Sequence, residues 1–323
     1  MARTFISELK DRDPVDSVFL AKRKKLENFR NKPGQYLALT LMDRTGEVEA
    51  RMWEGGPAIA ATFGDGEPVR VKGVAEVFND RLQLRLSLVV PVPLESVDLA
   101  DFLPVCPRPT EEMLAELTDA IASVTEPHLQ ALLQRVFTPE LKTALVRAPG
   151  SINVHHVYLG GLLEHTLNVA RLLEEVCRLY PGLDRDLLIA GCLLHDLGKL
   201  QEYRYDTVLD YSPHGRLLGH VVIGASLLHR ALEEAPDFPG ELGARLWHLV
   251  ISHHGERVYG APVVPLTAEA AALHHAENLE AHVNQFLGKI EDARQRNPAG
   301  AWAGWDNLLQ RSLYVGIPEE EAP

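Results

Sequence analysis

The chain has 323 residues, 46% apolar and 24% charged, with a formal net charge of -13; that length predicts two domains with substantial cores. The opening MARTFISELKDRD lacks an apolar signal-type segment, and the longest apolar run, 187–194, is far too short to span a bilayer. A cytoplasmic protein without a membrane partner is therefore expected. Cys106, Cys177 and Cys192 are odd in number and show no C-x-x-C spacing, which indicates neither a disulfide framework nor a thiolate zinc site.

Net negative charge argues at first against nucleic acid, whose binding rests on phosphate neutralisation. Its distribution changes that reading. Residues 1–90 hold 15 Lys and Arg against 13 Asp and Glu, whereas residues 91–323 hold 17 against 32. The acidic part is also the histidine-rich part, where bound divalent cations would invert the local field.

In chain order, residues 15–93 read as strands. Residues 35–41 alternate Tyr36, Ala38 and Thr40 against Leu37, Leu39 and Leu41, a turn follows at 43–46, and Glu49, Arg51 and Trp53 then oppose Val48, Ala50 and Met52. A helix is expected near 57–63, a fourth strand at 69–78, a hairpin at Asn79-Asp80, and a fifth strand with Leu82, Leu84 and Leu86 opposing Arg81, Gln83 and Arg85. About five short strands with one helix after the third describe a Greek-key barrel of the oligonucleotide-binding (OB) type. Its solvent face would carry Tyr36, Arg51, Trp53, Arg81, Gln83 and Arg85, aromatics for base stacking interleaved with cations for phosphates. The cluster 22–25 would add positive field there.

The barrel is assigned to residues 1–92 and a proline-rich connector to 93–110. An all-helical domain follows at 111–315, with an acidic tail at 316–323. Thr110 is read as an N-cap of a helix at 111–124, with further helices at 127–137 and 139–148. Beyond that, His165 lies three residues after Leu162 and four before Val169, and so faces the core. His195 and Asp196 close the apolar run 187–194. His220 opens GHVVIG, His253 and His254 end a helix closed by Gly255, and Glu277 follows Leu273 by four. Burying polar groups from five helices costs a few kcal/mol each unless they share partners. A divalent cation satisfies them together, and imidazole with carboxylate suits Zn, Mn, Fe or Co.

The order His165, His195-Asp196, His220, His253-His254, Glu277 resembles the HD-domain metal-dependent phosphohydrolases. The wording GGLLEHTLNVA, LLHDLGK, GHVVIG, SHHGE and EAAALHHAENLEA is similar in particular to the YhaM-type 3′–5′ exoribonucleases, in which an OB-type domain precedes the HD domain; here the HD core would span about 155–285. The resemblance implies a first metal held by His165, His195, Asp196 and Glu277, with Asp196 bridging to a second at His220, His253 and His254, so that one or two divalent ions (Mn²⁺, Co²⁺, Fe²⁺, Zn²⁺ or Mg²⁺) bind. Glu277 stands where the superfamily usually has Asp. His274, His275 and His282 have no matching role and are read as surface residues.

Two such ions, about 3.5–4 Å apart, would clamp the phosphoryl group for in-line attack. Asp196, Lys199 and His156 are the expected catalytic residues: Lys199, four after His195, contacting the phosphate or leaving oxygen, and His156 the scissile phosphate or terminal ribose. Arg204 and Tyr205 are candidates for the strand's path. The expected partner is single-stranded RNA or DNA, with self-association also in view. A phosphohydrolase of small nucleotides, and a nucleic-acid-binding protein with a purely structural HD domain, are the alternatives.

Overall fold

The computed structural model describes residues 3–316 apart from 30, 80, 208 and 299. Asp80 of the expected hairpin and residues 317–323 of the expected tail lie outside the described residues. The chain divides into two compact units, Met1–Val105 with Arg204–Leu209, and Cys106–Tyr203 with Asp210–Pro323.

The first unit is a closed barrel of β1 (Pro14–Asn28), β2 (Gln35–Asp43), β3 (Gly46–Met52), β4 (Pro68–Phe78) and β5 (Arg81–Pro91), in the order β1-β2-β3-β5-β4. Strand β1 pairs with β4 from Pro14 to Leu20 and with β2 from Leu20 to Asn28, and a bulge between Lys22 and Lys25 interrupts the register with β2. The short helix α1 (Gly56–Ala60) lies between β3 and β4, so the OB-type topology is present as expected.

Period-2 patterning sets the register. Leu37, Leu39 and Leu41 from β2 and Val48, Ala50 and Met52 from β3 point into one core with Phe19, Val69, Val71 and Leu84. Strand β5 departs from the expected alternation: Gln83 is buried, its amide donating to Glu76 at 2.8 Å, while Leu82 is only half-buried. Gln83 is thus corrected from the solvent face to an interior hydrogen bond. The ladder also shifts at Lys72/Gly73, so one alternation does not run the length of β5.

Residues 93–105, expected as part of the connector, cluster with the barrel. Leu99, Phe102 and Leu103 are buried, and Arg3 lies 4.1 Å over the Phe102 ring while pairing with Asp101 at 2.5 Å.

The second unit contains α2 (Thr110–Ser123), α3 (Pro127–Val136), α4 (Pro139–Leu145), α5 (Gly161–Leu179), α6 (Arg185–Leu194) and α7 (Lys199–Glu202), followed by α8 (Pro213–Glu233), α9 (Gly240–Ser252) and α10 (Ala268–Arg296). Pro109, not Thr110, occupies the N-cap of α2, whereas Glu126 and Thr138 cap α3 and α4 through their side chains. A two-residue ladder, β6 (Tyr203–Arg204) with β7 (Asp210–Tyr211), interrupts the helices; a stretch that short leaves no periodicity to read.

Helix α6 is the centre of this unit. Every residue from Leu187 to Leu194 is buried, as expected of a helix apolar all round, and α3, α5, α9 and α10 pack against it. Among the described residues no helix is long and apolar enough to cross a membrane.

Candidate metal centre and nucleic-acid face

Three helix ends converge where the metal ligands were expected. Helix α6 stops at Leu194 and His195 is its C-cap, α9 stops at Ser252 and His253 is its C-cap, and α8 bends at Gly219 (φ 72, ψ 151) immediately before His220. Gly219 and Gly255 (φ 74) take left-handed conformations that cost a side-chain-bearing residue. His195 and His253 each donate Nδ1–H to the carbonyl three residues back, Cys192 at 2.6 Å and Val250 at 2.7 Å, satisfying carbonyls that a helix C-terminus leaves open.

The same device recurs at the other imidazoles. His165 donates from Nδ1 to Glu280 Oε2 at 2.6 Å, His220 to Glu202 Oε2 at 2.9 Å, and His254 to the Tyr259 carbonyl at 2.6 Å. Fixing the proton on Nδ1 leaves each Nε2 lone pair free for a ligand, as metal-binding histidines require.

Those Nε2 atoms gather around one carboxylate. Asp196 Oδ2 lies 3.6 Å from His165 Nε2 and 3.3 Å from His195 Nε2, while Oδ1 lies 3.5 Å from His220 Nε2 and 3.6 Å from His253 Nε2. His254 completes the second group, its Nε2 lying 3.0 Å from that of His220. The donor atoms of His165, His195 and Asp196, and separately those of His220, His253 and His254, lie within 4.8 Å of one another.

Chemistry and burial fit a cation. The Nε2 atoms of His165, His195 and His253 and Oδ1 of Asp196 are buried without a hydrogen-bond partner, a costly arrangement that a divalent ion would satisfy. Burial pushes His165 and His254 down to about 4 and His253 well below the usual imidazole range, which keeps them neutral. Although burial opposes it, Asp196 holds His195 up. Asp196 itself is held well below the ordinary carboxylate range by Lys199 and His195 against its own burial.

Glu277 is half-buried, and burial together with the Asp196 charge raises it to about 7. Among the described residues its carboxylate belongs to neither donor group. Lys199 does not share a continuous helix with His195, because residues 195–198 form a turn and α7 begins at Lys199. It reaches Asp196 instead, with Nζ 2.6 Å from Oδ2, and is 5% exposed.

The expected role of His156 in contacting phosphate is corrected by its surroundings. Its Nδ1 faces Tyr158 Oη at 2.7 Å and Glu164 Oε2 at 3.1 Å, and its Nε2 donates to Glu280 Oε1 at 2.7 Å. Burial opposes protonation, but Glu164 and Glu280 raise its pKa. With both nitrogens taken, His156 holds Glu280, and through it His165. His274 is corrected from the surface to a supporting position, where its Nδ1 donates to the His253 carbonyl at 2.9 Å; His275 and His282 are exposed. Sequence reasoning missed Glu280 and Glu202. Glu280 sits three residues after Glu277 on one helix, a spacing that offered a signal.

The turn carrying Asp196 is clamped onto α8. A Cβ at Gly198 would stand 2.0 Å from the His220 carbonyl oxygen and 2.7 Å from the Gly224 nitrogen, both backbone atoms. Gly198→Ala is therefore expected to destabilise the fold by about 1–3 kcal/mol and to separate Asp196 from His220. Chemical denaturation alongside Mn²⁺ titration measures both effects.

On the barrel, strand register places Lys25, Ala38, Arg51 and Arg85 in one row across β1, β2, β3 and β5. Beside it, the rings of Tyr36 and Trp53 lie 4.6 Å apart, and Phe29, unforeseen in the sequence, stacks on Trp53 at 6.1 Å with Lys32 4.2 Å over its own ring. Arg51 and Arg85 also pair with Glu49 and Glu76, at 3.6 and 3.4 Å. Arg81 is exposed at the start of β5. Arg204 is exposed and lies 3.9 Å from Asp206.

Residues 162–282 match the HD domain family model. The 3′–5′ exoribonuclease YhaM of Bacillus subtilis (strain 168) is 34% identical over 79% of this chain and 81% of its own length. Its counterpart in Bacillus licheniformis is 33% identical over 87% and 88%, and that in Halalkalibacterium halodurans 33% identical over 94% and 93%. Barrel, histidine pocket and similarity across both units agree, and the chain belongs to the YhaM family of 3′–5′ exoribonucleases.

Proposed function

We propose that this chain hydrolyses single-stranded RNA stepwise from the 3′ end, releasing nucleoside 5′-monophosphates, with two divalent cations held in pockets that share Asp196. The observation that carries the reading is the convergence of four imidazole Nε2 atoms, two on each oxygen of one buried carboxylate. His165, His195 and Asp196 would hold one ion, closed by the longer Glu277 side chain; His220, His253, His254 and Asp196 would hold the other. Such ions supply Lewis acidity, activating water near neutral pH and offsetting charge on the phosphoryl oxygens.

The chain's own residues do the rest. Glu280, Glu202 and the carbonyls of Cys192, Val250 and Tyr259 orient the ligands. Lys199 is a buried ammonium on a flexible stem beside Asp196, suited to neutralise the scissile phosphate or the departing 3′-oxygen. On the barrel, Phe29, Tyr36 and Trp53 stack bases without regard to sequence, while Lys25, Arg51, Arg81 and Arg85 track phosphates; Arg204 extends that path. Three free cysteines fit a reducing, cytoplasmic compartment.

Incubation with Mn²⁺ and oligoribonucleotides blocked at either end tests the proposal. A ladder shortening from a free 3′ end is expected; turnover of mononucleotides or cyclic dinucleotides with oligomers left intact would overturn it. Trp53→Ala is expected to weaken oligoribonucleotide binding by about 1–3 kcal/mol and to change dinucleotide cleavage far less, as read by fluorescence titration beside steady-state rates.

A further inference from the structure

We infer that His155, the neighbour of the histidine expected to act, contacts the 3′-terminal nucleotide, donating from one ring nitrogen to an oxygen of the scissile phosphate and accepting from a ribose hydroxyl with the other. The inference rests on the proposed activity for its substrate, but on separate observations for the residue. His155 is 9% exposed, and both of its ring nitrogens are buried without a hydrogen-bond partner. The other buried histidines of the pocket each have at least one nitrogen fixed by a carboxylate or carbonyl. Among the buried histidines of the described residues, His155 is the one ring with neither nitrogen used.

Its position is built. Ser151 Oγ accepts from the backbone N–H of both Val154 and His155 at 2.9 Å and donates to the His155 carbonyl at 2.8 Å. The next residue, His156, has a positive φ of 48 and donates its backbone N–H to Asn284 Oδ1 at 3.1 Å. The loop is thus pinned on both sides of His155 while the ring is left unbonded. That ring lies 5.1 Å from the His165 ring and 5.7 Å from that of His156. It therefore stands at the edge of the first metal pocket, within the field of Lys199 and Asp196.

A ring held there needs a ligand that brings both an acceptor and a donor. A phosphodiester supplies the first and an adjacent ribose hydroxyl the second. Among the described residues neither nitrogen belongs to a group of three or more donor atoms within 4.8 Å of one another, so His155 is not counted among the metal ligands.

The test compares wild type with His155→Ala and His155→Asn by metal content after dialysis against Mn²⁺, thermal midpoint, steady-state kinetics on a 3′-free oligoribonucleotide, and equilibrium binding of adenosine 5′-monophosphate to the Mn²⁺-loaded protein. His155→Ala is expected to keep its metal and its midpoint, to lose kcat by roughly 10²-fold, and to bind the monophosphate about tenfold more weakly. His155→Asn, which still offers a donor and an acceptor, is expected to recover part of both. Loss of metal would make His155 a ligand, and a lowered midpoint with unchanged kcat and monophosphate affinity would make it structural; either result overturns the inference. Monophosphate binding reads His155 even if the wild type leaves RNA intact, which would instead sink the proposed activity.

Discussion

Asp196→Asn is expected to lower RNA hydrolysis by more than the roughly 10²–10³-fold that one transition-state donor carries, because a single substitution reaches both proposed metal pockets. Each oxygen of Asp196 faces two imidazoles, His165 and His195 on one side and His220 and His253 on the other. Asparagine keeps the volume and one oxygen but replaces the other with an amide, which cannot ligate a cation through N–H. It also removes the counter-charge of buried Lys199. Oligoribonucleotide binding through the barrel should remain, so single-turnover cleavage and fluorescence binding on the same preparation separate the two functions. Retained cleavage would remove Asp196 from the chemistry.

Glu280→Ala is expected to cost about 3–5 kcal/mol of stability, the range for breaking a buried charged pair, and to weaken Mn²⁺ binding by roughly 10–100-fold. No direct ligand is removed. Glu280 accepts from His165 Nδ1 at 2.6 Å, His156 Nε2 at 2.7 Å and Asn168 Nδ2 at 3.0 Å. Deleting it frees the His165 tautomer and leaves His156 with Glu164 alone as its carboxylate partner. Both histidine contacts hold the Glu280 pKa well below its usual range, against the opposing effect of burial. Glu280→Gln, which keeps hydrogen bonding but loses charge, should fall between wild type and alanine in both denaturation midpoint and Mn²⁺ affinity. A glutamine variant indistinguishable from wild type would mean that charge is not what Glu280 contributes.

Much of this centre was legible because the proposed ligands leave a sequence trace. His165, His195, Asp196, His220, His253 and His254 each stand on the apolar side of a recognisable helix or at its end, and the structure brings them together. Their supports leave less. Three of the five imidazoles are oriented by backbone carbonyls, at Cys192, Val250 and Tyr259, which any residue type could supply. Glu202 and Glu280 act through pairings 18 and 115 residues away; the Glu277-Glu280 spacing marks a shared helix face but not the histidine that Glu280 holds. For the same reason His155 and His156 could not be told apart in the sequence: only tertiary contacts decide which of two adjacent rings is already bonded. Lys199 was placed by assuming an unbroken helix, and the 195–198 turn moved its partner from the His195 face to Asp196.

The barrel follows the same division. Inward leucines of β2 and the alternating β3 residues were set by period 2, and the topology followed from strand count and the intervening helix. Gln83 escaped the alternation through its bond to Glu76 and the ladder shift at Gly73, and Phe29 lay beyond the strand where alternation stops being informative.

Equilibrium dialysis of Mn²⁺ against wild type and Asp196→Asn bears most directly on the shared pocket. Two ions per wild-type chain, and weakening at both sites in the variant, are expected. Equal stoichiometry and affinity in the two proteins would contradict a centre in which one carboxylate joins both groups of histidines.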